Sequence, residues 1–240
     1  MKRIVETLLL TACLLLFTAC QSRSASHYEL DEMAAAIELN LLNSGRLEAK
    51  VTFTDRHDSL TFLQLVKGDS LRLRANGHSS SSRDEVFIGG MTYYQLSLSD
   101  VQPGSYAEVE LNRGQDERRS ALSSIYLPEA VEDLTSSSGS SRRDPREISW
   151  NLPVGDFDGL ALRVTGHCIE SYSRTLSRND TSHVIPAGAL IDDDDGHDEH
   201  DSCEITITVS SINEGDVAPE FDRGFITASS SVSIHRDSTR

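Results

Sequence analysis

The sequence predicts an all-β protein, with two antiparallel β-sandwich domains in tandem behind an N-terminal segment that the mature chain lacks. Three observations carry this prediction. Apolar and polar residues alternate with period two in segment after segment, as half-buried strands require. Turn residues separate these segments at intervals of about ten to fifteen residues. A Ser-rich stretch without periodicity divides the alternation into two halves. The boundaries that follow are 1–19 for the removed segment, 20–32 for a polar tether, 33–128 for the first sandwich, 129–146 for a linker and 147–240 for the second sandwich.

In the first half, Ile37, Leu39 and Leu41 oppose Glu38 and Asn40, and Leu47, Ala49, Val51 and Phe53 oppose Arg46, Glu48, Lys50 and Thr52. Leu71, Leu73 and Ala75 oppose Ser70, Arg72 and Arg74, while Ala107, Val109 and Leu111 oppose Glu108 and Glu110. The turns between them are Asn43-Ser44-Gly45, Lys67-Gly68-Asp69, Asn76-Gly77 and Pro103-Gly104. After the stretch Thr135 to Pro145 the pattern resumes at Ile148, Trp150 and Leu152, then at Leu160 to Cys168, Val184 to Leu190, Cys203 to Val209 and Ile226 to Ile234.

At the start of the chain, Lys2 and Arg3 precede an apolar run from Leu8 to Phe17 and the small pair Thr18-Ala19. These are the three parts of a secretory signal too short to span a bilayer stably. A cysteine follows at once, and the segment Leu15-Leu16-Phe17-Thr18-Ala19-Cys20 resembles the lipobox of bacterial lipoproteins, with Phe17 where that family more often has Leu. The resemblance implies that Cys20 receives lipid and becomes the acylated first residue. Because Gln21, and not aspartate, follows it, the resemblance also implies the outer membrane, with the protein facing the periplasm. Two acyl chains already anchor a protein stably, at about 0.8 kcal/mol per buried methylene.

Charge narrows the partners. Losing residues 1–19 removes Lys2, Arg3 and Glu6, which leaves 20 basic and 37 acidic side chains and a net charge of −17, against −16 for the whole chain. So acidic a surface repels phosphates, so neither nucleic acid nor an anionic headgroup is expected as a direct partner. The membrane, through the lipid, and an envelope protein are the expected partners, the latter by strand addition at any exposed sheet edge.

Of the four cysteines, Cys13 leaves with the signal and Cys20 takes lipid. Cys168 and Cys203 remain in an oxidising compartment, each in phase with the apolar residues of its strand. A disulfide between them is the expected state. The alternatives are two free thiols or a metal or redox pair, and the last of these lacks a short Cys-x-x-Cys spacing.

Two further features resemble immunoglobulin-like and fibronectin-type sandwiches. Val101-Gln102-Pro103-Gly104-Ser105-Tyr106 is similar to the approach to a tyrosine corner, although Tyr106 falls in phase with Glu108 and Glu110. Trp150 beside a disulfide is similar to an immunoglobulin core, although it precedes both cysteines. The resemblance implies Ig-like sandwiches.

The richest polar constellation is the run Asp192, Asp193, Asp194, Asp195, Gly196, His197, Asp198, Glu199, His200 and Asp201. Its carboxylates suit calcium, and its histidines add a transition-metal option. It is not an EF-hand, because Ile191 and Ser202 would occupy the first and twelfth positions. Its alternative reading is a solvated acidic hairpin loop. No cofactor is otherwise expected. Ser79 to Ser82 and Ser136 to Ser141 read as loop serines without a Gly-x-Ser-x-Gly elbow, His57 as part of a charged turn, Gly89-Gly90 as a bulge or turn, and Arg142-Arg143 as an isolated basic spot. The expected role is therefore a non-catalytic binding or structural module of the cell envelope. A calcium- or metal-dependent adhesion or sensing protein using loop 192–201 is the first alternative and an envelope hydrolase the second.

Overall fold

The computed structural model of the chain describes residues 21–82, 85–114, 120–137, 141–191 and 202–239. Its strands are β1 (Gln21–Ser24), β2 (Met33–Leu42), β3 (Leu47–Asp55), β4 (Asp58–Gln64), β5 (Ser70–Ala75), β6 (His78–Ser82), β7 (Glu85–Ile88), β8 (Met91–Leu98) and β9 (Tyr106–Asn112). They continue with β10 (Ser120–Tyr126), β11 (Glu132–Ser136), β12 (Arg146–Asn151), β13 (Gly159–Gly166), β14 (Tyr172–Leu176), β15 (Ser182–Ile185), β16 (Ser202–Gly215) and β17 (Arg223–Thr239). Among the described residues, helix is confined to two three-residue 3-10 turns, Ala25–His27 and Leu30–Glu32. The fold class is thus the all-β sandwich class that the alternation predicts.

The alternating runs bury their apolar phase except at Val184 to Leu190, where β15 ends at Ile185 and it is Ile185 that is buried while Val184 is 53% exposed. Leu47, Ala49, Val51 and Phe53 lie inside, with Glu48 and Lys50 outside, and Leu71, Leu73, Ala107, Val109 and Leu111 face them from the opposite sheet. That opposite sheet has the order β10-β9-β5-β6. In the second half, Ile148, Trp150, Leu160, Leu162, Val164, Ile205, Ile207 and Val209 form a separate core together with Cys168 and Cys203. There the covering sheet is β11-β12-β15.

What joins the halves differs from the tandem arrangement read from the sequence. A single sheet with the order β1-β4-β3-β2-β17-β16-β13-β14 supplies one layer of both sandwiches. β17 is 17 residues long, or roughly 55 Å at about 3.3 Å per residue. Its first half pairs in parallel with β2, from Arg223 opposite Ala34 to Ser231 opposite Leu42. Along its length it also pairs antiparallel with β16, from Gly215 opposite Ile226 to Ser202 opposite Thr239. Ala218, Phe221, Ile226 and Ala228 consequently belong to the first core, although they lie beyond the boundary drawn at 147. Gly224, at φ +152°, permits the close approach of β17 to β2, since a Cβ there would run into the Ala35 carbonyl.

Neither tether nor linker has the form the composition suggests. β1 pairs with β4, and Ala25 is fully buried in the first core, so residues 21–32 are part of the fold. In the linker, β11 pairs with β12 and Val131 and Leu134 enter the second core. The Ser211 hydroxyl donates to the Glu129 carbonyl and the Ser230 hydroxyl to that of Pro128, while Asn213 Nδ2 donates to Tyr126 O at 2.9 Å. These bonds fix the crossing point, and serines suit it because the strand there meets backbone carbonyls instead of side chains.

The remaining corrections are local. Ser79–Ser82 form most of β6, paired with β5. Ser136 closes β11, and Ser141 bridges Thr239. Arg142 is buried, with Nη1 donating to Cys168 O at 2.8 Å. The likeness to a tyrosine corner ends at Tyr106, which is 67% exposed and packs edge-on against Tyr126 at 5.4 Å. Its phase with Glu108 and Glu110 is the reason.

Cys168 and Cys203 form a disulfide, with Cα atoms 6.1 Å apart at a sequence separation of 35. In the chain-entropy model a loop of this length stabilises by about 3–4 kcal/mol. Reduction is therefore expected to lower the urea midpoint of the second core, as followed by the emission of Trp150, which shares that core. An unchanged midpoint after reduction would contradict this.

Candidate functional site

Two surfaces of the first sandwich stand out. The first is a groove of about 550 Å³ on the outer face of β2, β3 and β8, bordered by β6. Because side chains alternate along a strand, the residues opposite the buried phase collect here: Glu38, Asn40, Glu48, Lys50, Gln95 and Ser97. Their charges are matched, across strands by Lys50 Nζ 3.5 Å from Glu38 Oε1 and at the start of β3 by Arg46 Nε 3.2 Å from Glu48 Oε1. Lys50 also lies 5.4 Å over the Tyr93 ring. Asn40 carries the polar face onward, since its Oδ1 accepts from the hydroxyls of Ser229 at 3.1 Å and Ser231 at 2.9 Å. The hydroxyl pairs Ser210–Ser231 and Thr208–Ser233, each at 2.8 Å, then extend it to the second sandwich. Such a surface can exchange hydrogen bonds with a polar ligand. Among its described residues it presents no nucleophile paired with a base.

The second surface is the end of the first sandwich where the described chain begins. β1 sets Gln21 beside Thr61 and Ser24 beside Gln64, and the Ser22 hydroxyl lies 2.7 Å from Thr92 Oγ1 and 3.3 Å from Gly90 O. Behind it, Arg113 holds the following segment down. Its Nη1 donates to Tyr28 O at 3.0 Å and its Nη2 to Ala25 O at 2.8 Å, while its Nε is 3.2 Å from Asp69 Oδ2. Asp69, itself buried, accepts from Val66 N and Gly114 N, each at 3.1 Å. Neither residue stands out in the sequence, because Asp69 reads as a turn residue and Arg113 as a polar strand end.

At the same end two carboxylates brace the β3–β4 turn. The His57 backbone N–H, at 2.7 Å, holds Asp55 below the usual carboxylate range against the opposing effect of burial, with the Tyr28 hydroxyl assisting. The Thr61 hydroxyl, at 2.6 Å, and the Leu60 N–H, at 3.0 Å, do the same for Asp58. Since both values are depressed on folding, their contribution is present above the unfolded value of about 3.9 and is lost as pH falls through the folded value. The Leu60 amide is therefore expected to lose exchange protection progressively as pH falls below the unfolded value of about 3.9, while β5 and β9 keep theirs. Protection of Leu60 that never falls across an acid titration from about pH 6, while the rest of the sandwich stays folded, would contradict this.

The residues singled out from sequence distribute as follows. Cys20 and the acidic run Asp192, Asp193, Asp194, Asp195, Asp198, Glu199 and Asp201 lie outside the described residues. Among the described residues no group of three or more His, Cys, Asp or Glu could hold a metal ion. His57 sits in the β3–β4 turn, where its Nε2 accepts from Arg56 Nε at 2.8 Å. Gly89 and Gly90 both have positive φ and form the two-residue turn of the β7–β8 hairpin.

No family model matches the chain, and no curated protein matches it. Among solved structures it is similar to the FN1–FN3 domains of chicken CNTN1, at 14% identity and a TM-score of 0.31, over 92% of this chain and 66% of that one, just under two thirds of its length. It is also similar to a segment of two fibronectin type-III domains from chicken tenascin, at 10% identity and a TM-score of 0.30, over 85% of this chain and 97% of that one.

Proposed function

We propose that the chain is a lipid-anchored protein of the cell envelope, acylated at Cys20 and held at the periplasmic face of the outer membrane. There its paired sandwiches act as a non-catalytic binding or structural module. The observation that carries this reading is the lipobox-like segment Leu15 to Cys20. The solvent-facing polar and charged side chains of the groove, free to exchange hydrogen bonds with a ligand, support a binding role. No helix among the described residues is long and apolar enough to cross a membrane, and in this reading the lipid does the anchoring. Labelled palmitate should be incorporated into the wild-type chain and not into Cys20→Ala, and globomycin should cause the precursor to accumulate. A Cys20→Ala protein that still fractionates with membranes would contradict the anchor. Crosslinking in cells should capture an envelope protein on the groove face, and a repeated failure to capture one would count against a binding role.

A further inference from the structure

Exposed large apolar side chains gather beside the point where the lipid would attach. Phe87, Ile88 and Met91, at the tip of the β7–β8 hairpin, are 60%, 56% and 43% exposed, and Leu60, at the start of β4, is 58% exposed. Ile88 and Met91 face each other across the Gly89-Gly90 turn. The Ser22 hydroxyl reaches the Gly90 carbonyl, and Gln21 pairs with Thr61, the residue after Leu60. Cys20 is bonded to Gln21, and consecutive Cα atoms are about 3.8 Å apart. The acyl chains and these four side chains therefore emerge at one end of the molecule.

From this we infer that the hairpin tip and Leu60 form a membrane-docking surface, which enters the interfacial layer of the bilayer in which the Cys20 lipid is embedded. The inference rests on the lipid-anchor reading and adds that the protein body stands on the membrane instead of swinging from a tether. Residues 21–24 are a strand paired with β4, and Arg113 bonds the Ala25 and Tyr28 carbonyls that follow, so the chain is part of the fold from Gln21 onward. Apolar side chains at such a tip gain by burial about 5–10 Å into the headgroup boundary. Ile88 and Met91, as direct cross-strand neighbours, form one exposed apolar patch, and such a patch on a soluble body otherwise marks an interaction site. β17 starts at this end, with Arg223 opposite Ala34, and leads away toward the second sandwich. A docked tip would thus hold the second sandwich out into the aqueous space.

The sole tryptophan, Trp150, is buried in the second core and provides an internal reference. The test uses the full lipidated protein carrying Ile88→Trp, reconstituted into phosphatidylcholine vesicles with and without brominated acyl chains. Val154→Trp, at a 78% exposed position of the second sandwich, is the matched control. Docking predicts co-flotation with the vesicles, a blue-shifted emission from position 88 that brominated lipid quenches, and no quenching at position 154 or at Trp150. Co-flotation without quenching at position 88 overturns the docking surface while leaving the anchor in place, and would instead turn the patch toward a protein or a second copy of the chain. Failure to float overturns the anchor and the docking surface together.

Discussion

A chain ending at Pro128 is expected to be unfolded, with a coil-like circular dichroism spectrum and narrow NMR dispersion, even though it contains every strand that the alternation assigns to the first sandwich. Such a chain loses Phe221 and Ile226, buried side chains of the first core, whose burial contributes roughly 1.5–3 kcal/mol each. It also loses the nine residue pairs between β2 and β17. Long, flat and apolar on its buried face, β2 would become an unprotected edge. A domain of this size has a net stability of only about 5–15 kcal/mol, so the lost burial is a large part of it even before the lost strand pairing is added. A synthetic peptide covering residues 216–239 should restore the β spectrum when added in trans, by supplying the missing strand. A cooperative thermal transition in the truncated chain alone would contradict the expectation.

The second large effect is at Asp69. Replacing one partner of a buried ion pair leaves the other charge uncompensated, at a cost of about 3–5 kcal/mol. Asp69→Ala would strand Arg113 and also remove the acceptor for the Val66 and Gly114 amides. The loss should appear as a lower urea midpoint for the first core and as rapid proteolysis between residues 21 and 32, because Arg113 would no longer be held where it bonds the Ala25 and Tyr28 carbonyls. Asp69→Ala combined with Arg113→Met should recover part of the stability but not the resistance to proteolysis, since those carbonyls still lack their donor. Undiminished resistance in the double variant would show that strand β1, and not Arg113, holds the segment.

The sandwich class and the inward phase of strands such as β2, β3, β5, β9, β13 and β16 were legible because period-two alternation is carried within a single strand, and the Cys168–Cys203 pair because only those two cysteines remain once Cys13 and Cys20 are assigned to the signal and the lipid. The pairing partner of β17 was not. Ser229, Ser230 and Ser231 interrupt the apolar phase where the strand passes from one core to the other, and their hydroxyls satisfy Asn40 and the Pro128 carbonyl. Read in isolation they look like the end of a strand. The same holds for Ser210 and Ser211 in β16, whose sequence pattern stops at Val209 while the strand continues to Gly215. Composition misled in the same direction at Ser79–Ser82, where an edge strand can be polar on both faces, and at Arg142, whose buried guanidinium bonds a backbone carbonyl. Of the candidate surfaces, the groove is the exposed phase of strands already recognised. The docking end needed the hairpin that brings Gly90 to Ser22.

The claim on which the rest depends is that β17 is one continuous strand belonging to both sandwiches. Cross-strand NOEs in the mature chain test it most directly. The account predicts contacts in parallel register between residues 226–231 and residues 37–42, with Ile226 opposite Ile37 and Ser231 opposite Leu42, alongside the antiparallel contacts of residues 226–239 with β16. The β16 contacts without those to β2, with the β2 amides exchanging as a free edge, would contradict it.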